Sequence, residues 1–215
     1  MKEDTSPDRI KLLRMIFIIF SVVTGILFVT LTVVAMHFYP GGYSFVTDDF
    51  SVLGRFQTES NSSIPNTLNP ISSTLFCFAN VSSGIILVLF WITFRNHFQD
   101  RSRYVALSGT ITGIISSLSL IGVGVFPMDI FPILHGVTAI IFFVFNAVTF
   151  ILYAIAIFLH QNYPKVHGYG AIAFIVIAFL YVSGAFLGIS PLIQKICVYY
   201  FILWTEVQNI NVLKK

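Results

Sequence analysis

Five stretches of the chain are long and apolar enough to cross a bilayer, and a sixth comes close. A spanning helix needs about 20 mostly apolar residues, and such runs occupy 15–36, 71–94, 104–126, 133–159 and 169–189. The sixth, 191–213, has an apolar centre from Ile196 to Trp204, but its far end, Glu206 to Asn211, is polar. The runs do not alternate, and they are too long for barrel strands of about 9–11 residues. The sequence therefore predicts an all-α fold, a polytopic six-helix transmembrane bundle forming a single integral membrane domain over 1–215. Only 10% of the residues are charged and the mean hydropathy is +0.88. Soluble domains carry about 25% charge, so a soluble enzyme, a disordered chain and a nucleic-acid binder are all excluded.

Lys and Arg set the expected orientation, since cytoplasmic loops are enriched in them. Lys2, Arg9, Lys11 and Arg14 precede the first run. Arg95, Arg101 and Arg103 join the second to the third, Lys165 joins the fourth to the fifth, and Lys214 and Lys215 close the chain. With six spans these ten share a side, and only Arg55 and Lys195 remain opposite. Both termini are thus expected in the cytoplasm, with the protein integral to the cell (cytoplasmic) membrane. The first run is longer than the 7–15-residue core of a signal peptide and reads as a retained anchor helix. The one long connection, 37–69, falls outside; it is rich in turn-forming residues and contains the sequon Asn61-Ser62-Ser63.

Several features read as packing. Gly109 and Gly113, and Gly184 and Gly188, are small-xxx-small pairs that let helix backbones approach. They serve either packing within the chain or association with a second copy or a partner membrane protein. Cys77 and Cys197 are read as small buried hydrophobes, with a disulfide as the alternative. Tyr39, Tyr43, Tyr104, Tyr163 and Tyr169 are expected in the interfacial aromatic belt, and Trp91 and Trp204 near the cytoplasmic helix ends.

Ionisable groups at membrane depth are functional candidates by default. The richest segment runs from Gly122 through Phe126-Pro127-Met128-Asp129 and Pro132 to His135-Gly136, a tight turn between two helices. An imidazole and a carboxylate there can share a proton. Alternatively, Asp129 caps the fourth helix or contacts backbone amides, and His135 bonds a neighbouring helix. Asp48 and Asp49 in the outer loop can join them in an acid–base or metal site, or form a solvated turn. His37 and Arg55 stand at the same level. His135 and Asn146 are eleven residues apart, almost the same helical face. With Asn80, Ser83 and Glu206 they can line an intramembrane polar stripe. No GxSxG, HExxH or phosphate-loop motif is present, and no cofactor is expected.

The loop Gly42-Tyr-Ser-Phe-Val-Thr-Asp-Asp-Phe-Ser51-Val-Leu-Gly54-Arg55, the segment Asn69-Pro70 to Phe76, the turn with Phe126-Pro127, Asp129 and His135-Gly136, and the last helix with Pro191 to Lys195 and Trp204-Thr-Glu206 together resemble domain-of-unknown-function family 998. That resemblance covers nearly the whole chain and implies an archaeal or bacterial six-span membrane protein with no assigned reaction. A fainter similarity reaches the DRAM/Frag/Sfk group, which includes proteins linked to lipid remodelling and trafficking. Val52 stands where that group often has Asp, and Cys77 where it often has Asn. The reading that follows is a non-catalytic module binding lipid or a small amphiphile at its outer face, with membrane lipids as partners. The alternatives are a membrane-embedded hydrolase or metalloenzyme built on the outer His/Asp cluster, and a small transporter or structural subunit.

Overall fold

Pro70 and Pro132 each open a helix, where the missing N–H is no loss and the fixed φ suits the first turn. The apolar runs expected from 71 and 133 start one residue after them. The computed structural model describes residues 7–60, 63–184 and 189–213. Its helices are α1 (Pro7–His37), α2 (Pro70–Arg95), α3 (Arg103–Val125), α4 (Pro132–Leu159), α5 (Val166–Gly184) and α6 (Ser190–Leu213), with a short 3-10 helix, Phe50–Gly54, in the long connection. No strand forms among the described residues; an isolated antiparallel bridge, Gln57 to Leu68, closes the base of that connection.

Five helices are long and apolar enough to cross a membrane: Ile19–His37 within α1, then α2, α3, α4 and α5. α6 is helical over the expected range, but with Lys195 and Glu206 within it, it is not among those five. α1 begins at Pro7, eight residues before the expected start at 15, because Arg, Lys and Leu there are good helix formers despite their charge. α5 is described to Gly184; Gly188 and Asn61 lie outside the described residues.

Each helix packs on its successor, and α6 returns to α1. One end of this arrangement gathers the α2–α3 and α4–α5 connections. There His160 Nε2 stands 3.9 Å from the Asp100 carboxylate, and Lys165 Nζ donates to the final carbonyls of α4, at Ile157, Phe158 and His160. This is the basic end. An aromatic core fills it: Trp91 stacks on Tyr153 with centroids 5.3 Å apart, and Phe94 meets Trp204 edge-on at 5.9 Å. Trp91, Trp204 and Tyr163 are core residues here, as Tyr39 is at the other end, and not belt residues. Their ring area outweighs the polar tip, which finds a partner inside, as when Tyr163 donates to Gln208 at 2.9 Å.

The α3 glycines are used within the chain. A Cβ on Gly113 would stand 2.7 Å from the Trp91 indole, and one on Gly109 3.0 Å from the Tyr153 ring. Cys77 and Cys197 are both free.

Candidate functional site

At the opposite end the long connection folds over the helices as a lid. Its 3-10 helix drops Phe50 and Leu53 into a core with Phe28 and Phe76. Tyr43 Oη donates to the carbonyls of Asp48 and Asp49, each at 3.3 Å. Two adjacent residues of α6 grip the same stretch. The Gln194 carbonyl accepts the Phe50 N–H at 2.7 Å. The Lys195 ammonium donates to the Asp48 and Pro191 carbonyls and lies over the rings of Tyr43 and Phe45, 5.3 and 5.4 Å from their centroids. Lys195 is 0% exposed, so this cation is a fastener and not a surface charge. Sequence reasoning placed Lys195 among the ionisable groups of this side and in the family resemblance but gave it no role; its signal was a Lys beside Ile196 in a largely apolar run.

Asp129 fastens the lid from the α3–α4 turn. Its two carboxylate oxygens accept the backbone N–H groups of Phe56 and Gln57, at 3.0 and 2.8 Å. The N-cap of α4 is Phe131, without a side-chain cap. His135, 5% exposed, directs Nδ1 to the Phe126 carbonyl at 2.8 Å. A carbonyl only accepts, so Nδ1 is the donor of this bond, and with the proton there the Nε2 of an uncharged imidazole would be an acceptor. Asp48 accepts the Ser44 N–H at 2.7 Å. Arg55 pairs with Glu59 at 2.7 Å. His37 is exposed and sits edge-on to Phe38. The lid thus draws the side chains of Asp48, Arg55 and Asp129 into its own bonding, each with separate partners, while Asp49 accepts from Tyr43 through its main-chain carbonyl. Among the described residues no three His, Cys, Asp or Glu are grouped to hold a metal ion.

Below the lid lie two internal cavities. The first, of about 50 Å³, is lined by Phe28, Phe50, Phe76, Leu120, Val123, Ala139, Phe142, Phe143 and Val198, with Ser51, Asn80, His135 and Gln194 as its polar members. The second, of about 40 Å³, lies deeper and is lined by Ser21, Thr24, Gly25, Ser83, Thr205 and Glu206 among apolar neighbours. Phe28, Leu120, Phe142 and Val198 border both. The polar stripe read from the sequence is therefore divided, with Asn80 and His135 at one cavity and Ser83 and Glu206 at the other. Asn146 is buried but lines neither, since eleven residues along a helix is a rise of about 16 Å even where the face repeats.

Burial under the lid raises the Asp49 carboxyl above the usual carboxylate range, against the opposing pull of Lys195. A group with a raised folded pKa lends its stability below the unfolded value of about 3.9 and loses it as pH rises through the folded pKa. Asp49→Asn removes the cost of the buried charge. It is expected to raise the thermal midpoint at pH 7, with the gain closing toward pH 4; a fluorimetric melting series across that range checks it.

The helices carry exposed Ile26, Phe78, Ile140, Phe179 and Leu203 on their outward faces. Apolar helices that present such faces outward while burying Asn80, Asn146 and His135 invert the soluble pattern. This is the construction of a multi-pass membrane protein. The chain belongs to the family of proteins of unknown function designated DUF998, whose family model matches residues 22–205. Comparison with curated proteins finds no match, and comparison with solved structures finds none.

Proposed function

We propose that this chain is a six-span protein of the cell membrane, with both termini and the basic end cytoplasmic, that binds a small amphiphile beneath its outer lid. The positive-inside distribution supports the orientation. α6 completes the sixth crossing by burying Lys195 against carbonyls and rings at the lid end. One observation carries the binding reading: the cavity under the 3-10 helix joins nine apolar walls to a few convergent polar groups, the usual make-up of a small-molecule site. Its His135 contributes an acceptor, and no Lys or Arg lines it. An anionic head finds no counter-charge there, whereas a hydroxyl or amide N–H finds an acceptor. The ligand class is a neutral, hydrogen-bond-donating head on a short apolar chain.

The test is photolabelling of the purified protein by a C8 alkanol bearing a diazirine, mapped by peptide mass spectrometry. Label is expected on α2 and α4 peptides containing Asn80 and Ala139. Ala139→Phe, which fills the cavity, is expected to abolish it at an unchanged melting temperature. Labelling confined to the exposed helix faces, or unaffected by Ala139→Phe, overturns the proposal.

A further inference from the structure

The deeper cavity has a different chemistry from the one beneath the lid. Its polar wall is acidic: Glu206 lines it together with the hydroxyls of Ser21, Thr24, Ser83 and Thr205. Among the described residues the one hydrogen bond to this carboxylate comes from Asn209 Nδ2 to Oε2, at 3.3 Å, and no Lys, Arg or His pairs with it. Asn209 is itself shared with Ser21 Oγ at 2.8 Å. Gly25 leaves room for the other oxygen; a Cβ there would stand 2.5 Å from Oε1. Ser83 supplies the second, independent observation. Its Oγ is fully enclosed and has no hydrogen-bond partner, although a buried hydroxyl is normally satisfied. A carboxylate that no cation pairs among the described residues and an unpartnered hydroxyl thus line one small space, with the hydroxyls of Ser21, Thr24 and Thr205 beside them.

A ligand that satisfies both must donate hydrogen bonds and carry positive charge. A metal ion is a poor fit, because a hard divalent cation asks for six or more oxygen ligands and usually several carboxylates. A primary ammonium suits the wall: three N–H donors for Glu206, Ser83 and one neighbouring hydroxyl, followed by an apolar chain. About 10–15 Å³ of such space admits one water, so about 40 Å³ admits an ammonium and its first carbons. Phe28, Leu120, Phe142 and Val198, the wall shared with the upper cavity, offer the chain an apolar path.

We infer that the deeper cavity is a binding site for a primary alkylammonium group, with Glu206 as its counter-ion and Ser83 as an acceptor. The site does not require the upper cavity to be occupied. The same ammonium chemistry is presented by a free alkylamine and by the ethanolamine headgroup of a lipid. The free amine is favoured, because a lipid phosphate would enter beside Glu206 with no Lys or Arg in the lining to neutralise it.

The test is calorimetric titration of n-hexylammonium into the protein in phosphatidylcholine nanodiscs. Saturable binding is expected, weakened at least about 10-fold by Glu206→Gln, the usual scale for losing a charge-assisted hydrogen bond. Ser83→Ala should weaken it less, and Glu206→Asp should retain part of it. Gly25→Ala, which displaces the carboxyl, should mimic Glu206→Gln. A parallel arm adds phosphatidylethanolamine to the nanodiscs. Displacement of hexylammonium assigns the site to the lipid headgroup, and no displacement assigns it to the free amine. Binding unchanged in Glu206→Gln, or equal competition by n-hexanol, overturns the inference. Because label at Asn80 and Ala139 reads the upper cavity while the Glu206→Gln effect on hexylammonium reads the deeper one, the two proposals fail separately.

Discussion

Lys195→Met is expected to release the lid and lower stability by about 2 kcal/mol. The substitution keeps the length and apolarity of the stem while deleting the ammonium. It removes charge-assisted hydrogen bonds to the Asp48 and Pro191 carbonyls, of which such bonds are worth about 1.5–3 kcal/mol each. It also removes the cation from the faces of Tyr43 and Phe45, a contact worth about 0.5–2 kcal/mol. Relief of the cost of burying an ammonium offsets part of the loss, which is why the net figure is below the sum. The loss should be local first. Amide exchange across 44–55 should accelerate by an order of magnitude or more while the aromatic core at the basic end keeps its protection. Uniform acceleration over all six helices, or none, would show that Lys195 is not the fastener.

The second large effect is expected at Gly84, where α2 crosses α3. A Cβ there would lie 2.5 Å from Ile121 Cγ1 and 2.8 Å from the Ser117 carbonyl oxygen. A side chain can swing aside, but a backbone carbonyl inside a helix cannot, so the helices must part. Overpacking of this kind costs about 1–3 kcal/mol, against at most about 1 kcal/mol gained by replacing glycine with alanine within a helix. Gly84→Ala should therefore lose about 1–2 kcal/mol net, read as a fall of several degrees in melting temperature. Gly136 is the internal control, since a Cβ there meets nothing within 4 Å. Gly136→Ala should be neutral or slightly stabilising, and equal effects at the two positions would refute the crossing argument.

The helices were legible in the sequence because apolar runs of spanning length have few other solutions. Pro70 and Pro132 even set two boundaries to within a residue. The start of α1 was not legible from hydropathy, since its first turns are charged yet helical. The candidate site was legible in residue type more than in arrangement. Asp129 and His135 were conspicuous within one short turn, and His135 finds its partner there, at the Phe126 carbonyl, but Asp129 does not. The amides that Asp129 holds lie in the connection between α1 and α2, and backbone amides leave no mark on a sequence. Lys195 and Gln194 likewise looked ordinary, because their meaning depends on Asp48 and Phe50 more than 140 residues earlier. Glu206 and Ser83 could be named as polar residues on apolar helices. That both face one cavity, with Gly25 yielding the space, is a property of three helices together.

The fastenings of the lid also impose an order on assembly. The loop leaves the ribosome early, yet its first clasp, Asp129, comes 73 residues after Phe56, and the others come 144 and 147 residues after the groups they hold. Until α6 has been made, two of the three clasps do not exist. The long connection therefore gains its full set of fastenings only once α6 has been made.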